Sequence, residues 1–166
     1  MVPSSPRLAL FLGGLAAAVA LAVAFAAEWW GGLVPCPLCL IERWPYRVAI
    51  AVAAVGVVLP RALTRPALAA LLLVGLVEVA AAGLHVGVEL HFWPSPLPEC
   101  AAPTLSTGNL SQMLSSMPLR PSKPCDSPTF LIPGLPLSMA AMNLIYALVV
   151  AAVLVTYLSR RSRRRR

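Results

Sequence analysis

The chain has 166 residues, 59% of them hydrophobic and only 11% charged, with a formal net charge of +7. A water-soluble domain of this size cannot hide so much apolar surface, so the composition excludes one and calls for a single domain in a bilayer. Much of the positive charge is terminal: Arg160, Arg161 and Arg163 to Arg166 directly follow an apolar run, which reads as an anchor on anionic lipid headgroups and not as a nucleic-acid surface.

The first element is an uncharged apolar run over residues 8–27, long enough to cross a hydrocarbon core of ~30 Å. Ala24-Phe25-Ala26 has the small residues of a signal-cleavage site. The run exceeds a signal core of roughly 7–15 residues, so a retained span is expected. Glu28, Trp29 and Trp30 follow as an interfacial belt.

Next comes Cys36-Pro37-Leu38-Cys39. Two thiols at this spacing make a redox or a metal element. A second span is expected over residues 38–59. Its purely apolar part, residues 48–59, is shorter than the roughly 17 residues a crossing helix needs. The span therefore recruits residues back to Leu38, which puts Cys39, Glu42, Arg43 and Arg47 in its outer turns. Pro45 predicts a kink there, with Trp44 displaced from ideal helical geometry. Cys39 in the first turn meets free N–H groups and the helix dipole, which favour an anionic sulfur, and Arg43 one turn on adds a guanidinium. Stabilising the reduced pair makes its disulfide a stronger oxidant. Arg47 either continues that stripe or snorkels to the interface. Glu42 pairs with Arg47 or caps a backbone group, and no chemistry is assigned to it.

The third span covers residues 66–88 and contains Glu78. A carboxylate at the centre of a membrane helix costs ~2.5–3.5 kcal/mol. Glu78 therefore needs a partner, a proton role, or protonation and a hydrogen bond inside the bundle. His85 and His91 stand at the outer end of this span.

Residues 89–136 form a long proline-rich loop with the remaining cysteines, Cys100 and Cys125. Leu110, Met113, Leu114 and Met117 recur at helical spacing, which predicts a short interfacial helix capped by Thr104 or Ser106; a plain loop is the alternative. Asn109-Leu110-Ser111 matches a glycosylation sequon, a pattern common by chance. The last span is expected over residues 137–158, with Asn143 and Tyr146 as its main polar groups, followed by the tail 159–166.

Arg7, Arg61, Arg65 and the arginine tail share one side of this layout. The other side has Arg120 and Lys123, with Arg43 and Arg47 at a span end. The richer side is expected to be cytoplasmic. Both termini then lie inside and both cysteine pairs face outward, into a compartment that oxidises thiols in a bacterium. A metal site built from all four cysteines is the rival reading, but Cys100 and Cys125 lack the paired CxxC form. A static disulfide in so tight a ring as Cys36–Cys39 would add little stability.

Pro35-Cys36-Pro37-Leu38-Cys39-Leu40-Ile41-Glu42-Arg43 resembles the signature of the bacterial DsbB family. The resemblance extends to Trp93-Pro94-Ser95-Pro96 before Cys100, to the distant Cys125, and to Gly134-Leu135-Pro136-Leu137-Ser138 at the last span. It implies an all-α integral membrane protein: a four-transmembrane-helix bundle whose long periplasmic loop carries the short interfacial helix. It also implies a thiol oxidase in the bacterial inner membrane that uses a quinone, ubiquinone or menaquinone, and no metal.

By the same resemblance Cys100 is attacked by a reduced periplasmic thioredoxin-like partner of the DsbA type. Cys125, its original disulfide partner, is released and attacks Cys36. Cys39 is freed to reduce the quinone, with Arg43 supporting thiolate and quinone, and either His85 or His91 can donate to a quinone carbonyl. Membrane lipids are the other partner, nucleic acid is not, and a monomer is expected. A vitamin-K-epoxide-reductase-type enzyme and a metal-binding or structural four-helix protein are the alternatives.

Overall fold

Four long helices follow one another in a computed structural model that describes residues 5–100, 111, 123–132 and 134–163. They are α1 (Pro6–Trp29), α2 (Pro37–Val58), α3 (Thr64–Glu89) and α4 (Met139–Arg163). Short 3-10 turns lie at Arg61–Leu63 and Pro98–Cys100. The described residues contain no strand, only one isolated bridge between Phe130 and Ser138. The helical periodicity expected at Leu110 to Met117, its caps, and Arg120 lie outside the described residues except for Ser111.

Local chemistry sets the helix starts. Ser5 caps α1 by accepting the Leu8 N–H at 3.2 Å, and Pro6 opens the helix. A proline in the first turn has no N–H to leave unpaired. Cys36 and Pro37 repeat this arrangement at α2. At α4 the Ser138 hydroxyl accepts the Ala141 N–H at 3.1 Å. α2 continues through Pro45 without a break, although the missing N–H forfeits one bond, that to the Ile41 carbonyl.

Three of the helical segments, Pro6–Trp29, Arg61–Glu89 and Met139–Arg160, are long and apolar enough to cross a membrane. α2 has 22 residues but carries Glu42, Arg43 and Arg47 in its first three turns. The bundle packs α1 on α2, α2 on α3 and α3 on α4. Small residues let the backbones approach. A Cβ added to Gly14 would sit 2.6 Å from the Ala53 Cβ, and one added to Gly56 would sit 2.9 Å from the Ala67 Cβ.

The polarity is that of a protein in lipid. Phe11, Leu15, Val19 and Val23 on α1, Leu73 and Val77 on α3, and Ile145, Val149 and Val153 on α4 point outward, while Glu42, Glu78 and His85 are buried. Two apolar clusters fill the interior. One joins Ala9, Leu10, Leu68, Leu71, Leu154 and Tyr157, at the end where Arg7 donates to the Leu59 carbonyl at 3.2 Å. The other, at the opposite end, joins Leu38 and Val88 to Cys36, Cys100 and Cys125, with Cys39 packed against it.

Candidate functional site

All four cysteines meet in that second cluster. Cys100 and Cys125 form a disulfide with Cα atoms 4.9 Å apart, and the Cys125 N–H donates to the Cys100 carbonyl at 3.3 Å. Cys36 and Cys39 are free thiols, their sulfurs 2.7 Å apart. One pair is thus oxidised and the other reduced. An exchange reaction at Cys100 and Cys125 needs access, which a proline-rich loop supplies by sequence, yet the two are only 4% and 1% exposed, packed in one cluster with Leu38 and Val88.

The helix start also distributes charge differently from the sequence reading, which gave the anionic sulfur to Cys39. Cys36 is the capping residue, and its Sγ accepts the Cys39 backbone N–H at 3.2 Å. The hydrogen bond from the Cys39 thiol pulls the Cys36 thiol below its ordinary range. The backbone N–H adds to this, against burial and the nearby Glu42. Cys39 lies in the first turn, its sulfur beside that of Cys36.

His85 reaches Cys36 from α3. Its Nε2 lies 3.4 Å from the Cys36 Sγ and its Nδ1 lies 2.8 Å from the Glu42 Oε1. The two sulfurs and a His85 ring nitrogen fall within 4.8 Å of one another. Glu42 therefore has a partner the sequence did not suggest, 43 positions away, where Arg47 or a backbone cap was expected. Arg47 instead stacks over the Trp44 ring at 5.0 Å. Arg43 forms an ion pair with Glu28 at 2.7 Å and lies 4.8 Å over the Phe25 ring. Glu28, read from sequence as part of an interfacial belt, thus holds the arginine in place. His91 stands apart on the turn after α3, exposed, with a left-handed φ of 58°.

Cys36, Cys39, Glu42, Arg43 and His85 all line a cavity of about 300 Å³. Val19, Ala20, Val23 and Ala24 of α1 give it apolar lining, and Asn143 and Tyr146 of α4 add polar atoms. A strap of Ser127, Thr129 and Leu131 also borders it. Lys123 Nζ pins the strap by donating to the Pro128 carbonyl and the Thr129 hydroxyl, each at 2.8 Å. The Met139 N–H donates to the Thr129 carbonyl at 2.7 Å. The Trp93 ring packs closely against Gly87 and its Nε1–H donates to the Leu84 carbonyl at 3.1 Å. Ser138 also bonds Glu89, tying α4 to the end of α3.

Comparison with known proteins agrees with this chemistry. The family model described as "Disulfide bond formation protein DsbB" matches residues 6–157. The protein named "Disulfide bond formation protein B" of Methylococcus capsulatus (strain ATCC 33009 / NCIMB 11132 / Bath) is 36% identical over 121 residues. That match covers 72% of this chain and 70% of the relative. No solved structure matches the chain. A reduced dithiol and a disulfide in one buried cluster, on a bundle with membrane-crossing helices, are what disulfide-forming chemistry in a membrane requires, and the chain belongs to the DsbB family.

Proposed function

We propose that the protein is a thiol:quinone oxidoreductase that reoxidises a periplasmic thioredoxin-like dithiol of the DsbA type. The observation that carries this reading is the cavity of about 300 Å³, lined by a dithiol and a histidine together with apolar side chains. Its volume lies at the lower end of small-molecule sites, and its lining suits a flat, lipid-soluble ring with polar oxygens. Cys39, Arg43 and His85 are the residues that would hold a quinone, whose chemistry when bound is to accept two electrons and two protons.

The rest belongs to this chain. A thiolate of the partner attacks Cys100, forming a mixed disulfide and releasing Cys125 as a thiolate. Cys125 attacks Cys36 of an oxidised Cys36–Cys39 pair, forming Cys36–Cys125 and freeing Cys39. The partner's second thiol attacks the mixed disulfide, leaves oxidised and releases Cys100. Cys100 attacks Cys125, restores Cys100–Cys125 and frees Cys36, so the two electrons end on the Cys36–Cys39 dithiol. Both pairs already share one cluster, so the exchange needs local rearrangement and not a long swing of the loop. His85, held by Glu42, takes the proton of a Cys36 thiol, and Arg43, fixed by Glu28, presents a positive charge to the cavity. A metal site of four thiolates lacks its donors while Cys100 and Cys125 are joined.

In this reading α2 is a fourth span. Both termini are cytoplasmic, both cysteine pairs periplasmic, and the chain works as a monomer in a bacterial inner membrane. His91 has no assigned part. The test is quinone reduction, followed by absorbance, by purified protein with a reduced thioredoxin-like donor. Turnover that vanishes in Cys39→Ser supports the reading; turnover that survives in that variant overturns it.

A further inference from the structure

Farther along the bundle from the sulfurs, two carboxyl groups share one amide. Asn143 Nδ2 donates to the Glu78 Oε1 at 2.8 Å and to the Glu42 Oε2 at 3.0 Å. Its Oδ1 accepts the Tyr46 hydroxyl at 2.6 Å. Glu78 is 2% exposed. Its second oxygen, Oε2, is buried with no hydrogen-bond partner among the described residues. A small cavity of about 30 Å³ adjoins Glu78 and is lined also by Gly13, Pro45, Tyr46, Gly75 and Tyr146. That is enough for a water, which needs roughly 10–15 Å³.

The charges around the pair set its protonation. From α2 it faces Glu42 and Tyr46, and from α4 Asn143 and Tyr146. α3 adds His85 on the far side of Glu42, and α1 offers Gly13 and Ala17. No arginine or lysine lines the small cavity, and Arg43 is engaged by Glu28. Two oxygens bonded to the same nitrogen are held within about 6 Å, where like charges disfavour double ionisation. Glu42 has the Nδ1 N–H of His85 to stabilise a charge. Apart from Glu42 itself, the groups facing Glu78 are neutral, and an uncompensated carboxylate in such a place is costly.

We propose that Glu78 is a proton-bearing carboxylic acid with an enclosed water at its Oε2, and that it confines the pair's single negative charge to Glu42, beside His85. Glu78 is then a positioning residue. A neutral Glu78 leaves Asn143 free to donate to a charged Glu42. Glu42 in turn holds the Nδ1 proton of His85 and leaves Nε2 as the basic nitrogen facing Cys36. The histidine's part rests on the thiol-oxidase reading above; the protonation of Glu78 does not.

The test is infrared spectroscopy of the full chain in lipid nanodiscs at neutral pH, with neither donor nor quinone. The expected result is a protonated-carboxyl C=O band that shifts in D2O, is absent from Glu78→Gln and persists in Glu42→Gln. Oxygen-18 water should shift an enclosed O–H stretch. Nitrogen-15 spectra should show His85 protonated at Nδ1, and Glu42→Gln should weaken that tautomer preference. Absence of the band in the wild type, which needs no variant to fold, overturns the proposal. So does a band removed by Glu42→Gln and kept by Glu78→Gln. Since no turnover is measured, failure of quinone reduction would leave these signals unchanged.

Discussion

Glu42 on α2 and His85 on α3 meet at 2.8 Å, and the opposite ring nitrogen of the same histidine lies 3.4 Å from the Cys36 sulfur. A carboxylate on one side of an imidazole fixes which nitrogen carries the proton and raises the basicity of the other. Glu42→Gln keeps the size of the side chain but removes the charge. Steady-state thiol oxidation in that variant should fall by roughly 10²-fold, the scale of general acid–base catalysis, with the four helices intact by circular dichroism.

The pH dependence of Cys36 follows from its lowered pKa. Alkylation of the reduced protein should find Cys36 reactive at a pH where an ordinary thiol is mostly protonated. Cys39→Ala removes the donor thiol, so the alkylation midpoint of Cys36 should move upward. The sign for stability is that of a depressed acid. The contribution is full above the unfolded thiol pKa and is lost as pH falls through the folded one. Chemical denaturation of the reduced form across that window checks the slope.

Gly87 is where α3 admits the Trp93 ring. A Cβ there would stand 2.0 Å from a ring carbon, so Gly87→Ala must displace the indole and break its bond to the Leu84 carbonyl. A loss of about 1–3 kcal/mol is expected, as for other overpacked sites, even though alanine favours the helix. Tryptophan fluorescence and thermal unfolding in detergent report it.

Arg43 is held by Glu28 and lies over Phe25. Arg43→Ala should raise the KM for quinone by about tenfold or more, the scale of one lost charged contact. Glu28→Gln should raise it less, since the guanidinium stays over the ring. Equal KM values in all three proteins would remove Arg43 from the cavity's chemistry.

The spans were legible because each is a continuous statement in the chain. The apolar runs at residues 8–27, 66–88 and 137–158 reappear as α1, α3 and α4 with a few residues added or removed at their ends. α2 was legible because its apolar part, residues 48–59, is too short to cross alone and had to extend back to about Leu38, close to where the helix begins. The polar interior was not. Glu42 finds His85 across 43 positions, and Asn143 finds Glu42 and Glu78 across 101 and 65. Those pairings depend on how the helices rotate against one another, and hydropathy does not encode rotation. The one available signal was the presence of Glu42, Glu78 and Asn143 in apolar helices, each needing a partner. That Cys36 and not Cys39 offers its sulfur to the free N–H of the helix start turned on which residue caps α2.

Cys125→Ser leaves Cys100 without its intramolecular partner. With the thioredoxin-like protein supplied in its oxidised form, the Cys100 thiolate attacks that protein's disulfide, and a mixed disulfide that Cys125 can no longer resolve should accumulate, visible as a reducible adduct on a gel.

Cys125 has one further neighbour of consequence. Ser127 and Thr129, two and four positions on, border the cavity, and Lys123, two positions back, clamps that same stretch. In the proposed reaction, the bond a visiting thiol breaks is therefore also one of the ties on the cavity's rim, beside those from Lys123 and Met139.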